Sequence, residues 1–133
     1  METLILKRPL ERFNQYCSYT ILINGKKVGE LKNGEEKHIE IDNFFDKEIE
    51  VKVAWCGSGK RKIGKQHLII AGNIFFNQRM PIMIILFWVI GFLINIDKEI
   101  SVWGTSLMCF LLLSTLTIFR NKWIRIQELN TIQ

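Results

Sequence analysis

The chain has little of what cross-linked, metal-binding or catalytic proteins rely on. It has three cysteines and two histidines in 133 residues. Cys17, Cys56 and Cys109 are odd in number and widely spaced, with no CxxC or Cys/His pairing. That pattern excludes a disulfide framework and a zinc site, and it predicts free thiols in a reducing compartment. His38 and His67 have no Cys, Asp or Glu at ligand spacing, so no metal is expected. No nucleophile–base arrangement stands out, and Glu35, Glu36, Glu40, Glu48 and Glu50 fall in strand phase as a solvated face. Neither catalysis nor a cofactor is therefore predicted. The first thirteen residues, METLILKRPLERF, lack the apolar core of about 7–15 residues that a signal peptide requires. A charge excess of one sign is also missing: the formal net charge is a moderate +5. Over residues 1–79 fourteen Lys/Arg are interspersed with ten Asp/Glu, which is not a nucleic-acid footprint.

What is present divides at about residue 79. Before it, apolar residues alternate with polar ones. In KEIEVKVAW, residues 47–55, Ile49, Val51, Val53 and Trp55 share one face and the charges share the other, the period of a half-buried strand. Tyr19, Ile21 and Ile23 form such a face, as do Ile39 and Ile41. Asn24-Gly25 and Asn33-Gly34 each suit a type I′ hairpin turn, which needs positive φ at both central residues. Phe44 and Phe45 are expected to cap one end of the core. Including residues 4–7 and 66–71, the count is six or seven strands, enough for a small antiparallel sandwich or partial barrel. The segment ILINGKKVGELKNGEEKHIEI and its continuation to Trp55 resembles the PEGA-type β-modules. The likeness rests on Asn24-Gly25-Lys26 and Val28-Gly29, without the Pro-Glu-Gly-Ala element itself. It implies a non-catalytic binding or spacer domain.

The basic stretch AWCGSGKRKIGK, residues 54–65, superficially matches a phosphate-binding loop. Arg61, however, stands where the magnesium-binding hydroxyl belongs, and the β-rich HLIIA follows in place of a helix. The stretch reads as a turn whose Lys60, Arg61, Lys62 and Lys65 are solvated or face anionic lipid headgroups.

After residue 79 the charges nearly vanish. Residues 81–96, PIMIILFWVIGFLINI, carry none, and neither do residues 100–119. Their lengths predict a C-terminal two-helix transmembrane hairpin, with spans at about 80–96 and 100–119 and a short outer loop at 97–99. Residues 1–78 would form the cytoplasmic β domain, 79–126 the hairpin and 127–133 a cytoplasmic tail, a layout resembling small bacterial membrane proteins with a β-module ahead of a hydrophobic hairpin. Arg79, Arg120, Lys122 and Arg125 flank the spans and place both termini inside by charge bias, in a multi-pass inner-membrane protein. Trp103 and Trp123 are the expected interface anchors, and Gly91, Gly104, Ser106, Cys109 and Ser114 the expected helix-packing positions. The functional expectation is a non-enzymatic, membrane-anchored interaction or scaffolding protein. Its expected contacts are the bilayer, a protein partner and further copies of itself. The alternatives are an oligomerising, pore-forming effector gated by its β-module and a regulator that binds anionic lipid.

Overall fold

A computed structural model describes residues 2–12, 14–54, 56–93 and 98–129. Nine strands are found among them: β1 (Glu2–Lys7), β2 (Tyr19–Ile23), β3 (Lys26–Leu31), β4 (Glu36–Ile41), β5 (Glu48–Val53), β6 (Cys56–Gly57), β7 (Arg61–Lys62), β8 (His67–Gly72) and β9 (Ile124–Glu128). Two helices, α1 (Met80–Leu93) and α2 (Lys98–Ile118), lie between β8 and β9. The strands form two sheets, one ordered β4-β1-β8-β9 and one ordered β3-β2-β5 with β6 and β7 both paired to β5.

Alternation explains why these segments become strands. Leu4 and Leu6 of β1, Ile21 of β2, Ile49 and Val51 of β5 and Ile70 of β8 are each fully buried, while the residues that alternate with them are half-buried or exposed. Burying one apolar side chain of this kind contributes about 1.5–3 kcal/mol, so a one-residue slip of register would expose a whole row of them. The expected all-antiparallel arrangement is corrected in one place. β1 and β8 run parallel, with Ile5, Leu6 and Lys7 opposite His67, Leu68 and Ile69. Parallel neighbours need a long crossover, and here everything from β2 to β7 supplies it.

The two Asn-Gly turns differ. Asn24 and Gly25 have φ of 49° and 79°, the type I′ geometry that joins β2 to β3. At the second turn only Gly34 is positive, at 74°. The Asn33 side chain instead grips the backbone of Glu11, accepting from its N–H at 2.8 Å and donating to its carbonyl at 3.0 Å. The chain turns through the Glu35 N–H, which bonds the Lys32 carbonyl at 3.1 Å. Phe45 is exposed rather than capping the core. The side chain of Phe44, like Trp55, lies outside the described residues.

The transmembrane hairpin is corrected. Among the described residues no helix is long and apolar enough to cross a membrane. α1 has 14 residues, about 21 Å at 1.5 Å per residue against a hydrocarbon core of about 30 Å. α2 has 21 residues, but it opens on Lys98-Glu99, which the sequence reading put in the loop, and Gly, Ser and Thr dilute its apolar run. Residues 94–97, the expected end of the first span and start of the loop, lie outside the described set. The multi-pass inner-membrane placement loses its basis with the hairpin, and the membrane and integral-membrane descriptions of the chain lose theirs. The chain also returns to the sheet after α2: β9 pairs antiparallel with β8, with Ile126 opposite Ile70 and Ile124 opposite Gly72. Ile124 and Ile126 are buried, so the β domain includes residues on both sides of the helices.

Candidate functional site

The most tightly organised polar group lies at the end of β1. Arg8 follows Leu4 and Leu6 on the buried face, and its side chain is fully enclosed. The guanidinium sits 3.6 Å above the centre of the Tyr19 ring. Nη1 donates to the Cys17 and Leu31 carbonyls at 2.6 and 3.2 Å. Nη2 donates to the Asn14 carbonyl at 2.6 Å and to Glu11 Oε2 at 3.2 Å, and Nε donates to the same oxygen at 3.3 Å. These bonds use all five N–H donors of an arginine. Glu11 is equally occupied: Oε2 also accepts from the Tyr19 hydroxyl at 2.5 Å, and Oε1 accepts from the Gly72 N–H. Burial, and then the hydrogen bond to Glu11, hold the Tyr19 phenol well above its ordinary range. A buried charge costs several kcal/mol unless its partners are complete. Here they are complete, which makes this a clasp joining the 8–17 connection to β1, β2, β3 and β8. It has no donor left for a substrate. The sequence reading missed it, although the period-two run Leu4, Leu6, Arg8 marked the position.

A second set of contacts fixes the base of the helices. A turn of π-helix, Phe75–Arg79, leads into α1. Buried Phe76 stacks on Trp123 at 5.5 Å and lies 5.6 Å from Phe119. The Asn73 N–H donates to the Trp123 carbonyl at 2.8 Å, and the Asn73 side chain donates to the Lys122 carbonyl at 3.0 Å. Asn77 Nδ2 donates to the carbonyls of Asn73 and Trp123. The two ends of the helical segment are therefore tied to each other at the edge of the sandwich.

Next to this base the fold brings together two basic stretches some sixty residues apart in sequence. The stretch after Lys60 continues as β7 and then β8, with no helix to receive a phosphate. Gly59 packs against Asn121 in the turn after α2, and a Cβ placed at Gly59 would stand 3.7 Å from the Asn121 Cβ. Arg61 Nη1 donates to the Ile126 carbonyl at 2.7 Å, and its Nη2 pairs with Glu128 at 3.4 Å. Between the two stretches lies an open cleft of about 760 Å³ that includes Arg61, Lys65, Lys122 and Arg125, with Glu128 the one carboxylate among the described residues that line it. Lys122 Nζ also lies 5.3 Å from the centre of the Phe119 ring. Of the eight basic residues singled out in the sequence, these four share the cleft. Lys60, Lys62, Arg79 and Arg120 are exposed elsewhere on the surface.

The helices expose their apolar side chains. Among the described residues, eight large apolar side chains of α1 and seven of α2 are at least 48% exposed, Trp103 reaching 79% and Phe110 67%. A groove of about 250 Å³ runs between the helices, lined by Met83, Ile84, Phe87, Met108 and Leu111 among others. The expected packing positions do not meet across it. Gly91 and Gly104 have open space where a side chain would begin, Ser106 and Cys109 are exposed, and Ser114 bonds the Phe110 carbonyl of its own helix at 2.8 Å. Trp123 stands half-buried at the base of the helices, stacked on Phe76. Among the described residues no three His, Cys, Asp or Glu gather to hold a metal. Cys56 is half-buried with Sγ 3.4 Å from the Val53 carbonyl, and burial, then the neighbouring Cys17, push its thiol up to about 11.

No family model matches this chain, and neither a curated protein nor a solved structure is found to be similar.

Proposed function

We propose that this chain is a non-enzymatic interaction module, in which the β-sandwich is the scaffold and the α1–α2 pair engages a partner. One observation carries the reading: fifteen large apolar side chains stand exposed on two adjoining helices. Folded monomers rarely leave contiguous apolar patches beyond a few hundred Å². Helices apolar all round are covered by something. The polar cluster with the most complete geometry, around Arg8 and Glu11, spends its donors internally and offers no chemistry. The PEGA-type likeness of residues 21–55 points the same way, since such modules are usually binding or spacer domains.

The occupant favoured is a second copy of the chain. Gly91 and Gly104 face open space, and a missing Cβ lets another backbone approach closely. The groove between the helices is apolar and lined partly by methionines, whose flexible side chains adapt to an incoming surface. Light scattering on the size-fractionated chain in detergent-free buffer tests this. The expected result is an assembly of two or more copies, which Phe87→Glu with Leu111→Glu converts to a monomer of unchanged sandwich stability. A wild-type chain that runs as a monomer in that buffer, with its helices formed by circular dichroism, would sink the proposal.

A further inference from the structure

The geometry points to a second binding site, separate from any association through the helices: we propose that the cleft between β7, the turn after α2 and β9 binds the phosphomonoester or pyrophosphate group of a ligand. Among the described residues, Arg61, Lys65, Lys122 and Arg125 share its lining with one carboxylate, Glu128. Arg61 holds that carboxylate at 3.4 Å, and the described lining still carries more basic side chains than acidic ones. Arg61 itself is fixed in place. Its bonds to the Ile126 carbonyl and to Glu128 use two of its five N–H donors, leaving three on a guanidinium whose orientation is already set. A pre-oriented guanidinium gives directional, paired hydrogen bonds to phosphate oxygens, and the lysines add point charges around them. A phosphomonoester carries about −1.5 to −2 at neutral pH, which matches the cleft better than a singly charged diester does. The volume, about 760 Å³, lies in the range of small-molecule sites, roughly 300–1,000 Å³, so there is room for more than the anion itself.

The cleft exists only because β9 returns to pair with β8. That pairing brings Lys122 and Arg125 to the stretch that holds Arg61 and Lys65, and no local motif encodes the meeting.

Two sources present this chemistry, a free phosphorylated compound and a phosphomonoester lipid headgroup. The test uses the full chain in a mild non-ionic detergent, titrated calorimetrically with inorganic pyrophosphate and, as a control, sulfate. In parallel, the chain is floated with phosphatidylcholine vesicles containing either phosphatidic acid or phosphatidylglycerol. Lys122→Ala with Arg125→Ala should weaken binding roughly tenfold to hundredfold, as expected for lost charge-assisted hydrogen bonds. Lys60→Ala with Lys62→Ala, outside the cleft, should leave binding within about twofold, since exposed charges contribute little. Matching melting temperatures among the variants show that each is folded. Pyrophosphate binding with this variant pattern supports a free ligand. Flotation with phosphatidic acid alone, with the same pattern, supports a headgroup. The site is overturned if neither probe binds, if sulfate or phosphatidylglycerol binds equally well, or if Lys60→Ala with Lys62→Ala weakens binding as much as the cleft pair does.

Discussion

The sandwich and the helical pair have similar appetites for burial and opposite outcomes. In the sandwich, Leu4, Leu6, Ile21, Ile49, Val51 and Ile70 are removed from water, because a period of two aims every second residue at a facing sheet. In α1 and α2 the apolar residues run continuously and point in all directions, so one neighbouring element can cover only a fraction of them. The same apolar side chain is thus structural in one region and unfulfilled in the other. What differs is the periodicity, together with the near absence of charge from the helices.

The sharpest way to break that comparison is to attack the buried charge of Arg8. Arg8→Leu would leave the Glu11 carboxylate without its cation and three carbonyls without the guanidinium's hydrogen bonds. We expect a loss of about 3–5 kcal/mol in denaturant unfolding, the range for removing one partner of a buried ion pair. A loss below about 1 kcal/mol would mean the clasp is not what locks the 8–17 connection.

A matched pair of truncations sharpens the contrast directly. Ile70→Ala should cost about 2–5 kcal/mol, as core isoleucine-to-alanine changes do. Ile85→Ala, at a position 61% exposed, should stay within about 0.5 kcal/mol in the same measurement. Equal costs at the two sites would show that α1 is covered within the chain's own fold.

The smallest expected effect is in alkali. Cys56 has its thiol raised from an ordinary 9.0 to about 11, so folding favours the protonated form. That contribution is complete below pH 9 and is lost as pH rises from 9 towards 11. Tyr19, raised from 10.0 in the same sense, adds its own loss only above pH 10. Melting temperatures of the wild type should therefore begin to fall between pH 9 and 10, and Cys56→Ala should flatten that interval. An identical slope in the variant would assign the fall to another group.

Much of the sandwich was legible in the sequence, because half-buried strands write their phase into the chain. Tyr19, Ile21, Ile23, Ile49 and Val51 are buried as their alternation requires. Asn24-Gly25 takes the turn that its sequence declares, even though the Asn24 side chain also accepts from the distant Glu48 N–H at 2.9 Å. At Asn33-Gly34 only the glycine takes positive φ, and there the Asn33 side chain bonds both backbone groups of Glu11, more than twenty residues away. The parallel β1–β8 pairing had no local signature. β9 has one, in Ile124 and Ile126, but it follows a long apolar run, where it reads as the flank and tail of a membrane span. The length and polarity of the helices decided that point against the hairpin. In the cleft, the residues were visible as two separate basic stretches, and only the β8–β9 pairing makes them one place.

That pairing has a mechanical consequence. The helical segment is, in topology, an oversized loop inserted at the tip of a two-stranded hairpin, entering where β8 ends and leaving where β9 begins. Any load applied through the helices pulls the two strands from their shared end, so their hydrogen bonds open one after another instead of resisting together. Tension on whatever grips the helices would thus be felt first at the tie between Asn73 and Trp123 and then at Gly72 and Ile124, and β9 would be the first strand to come away.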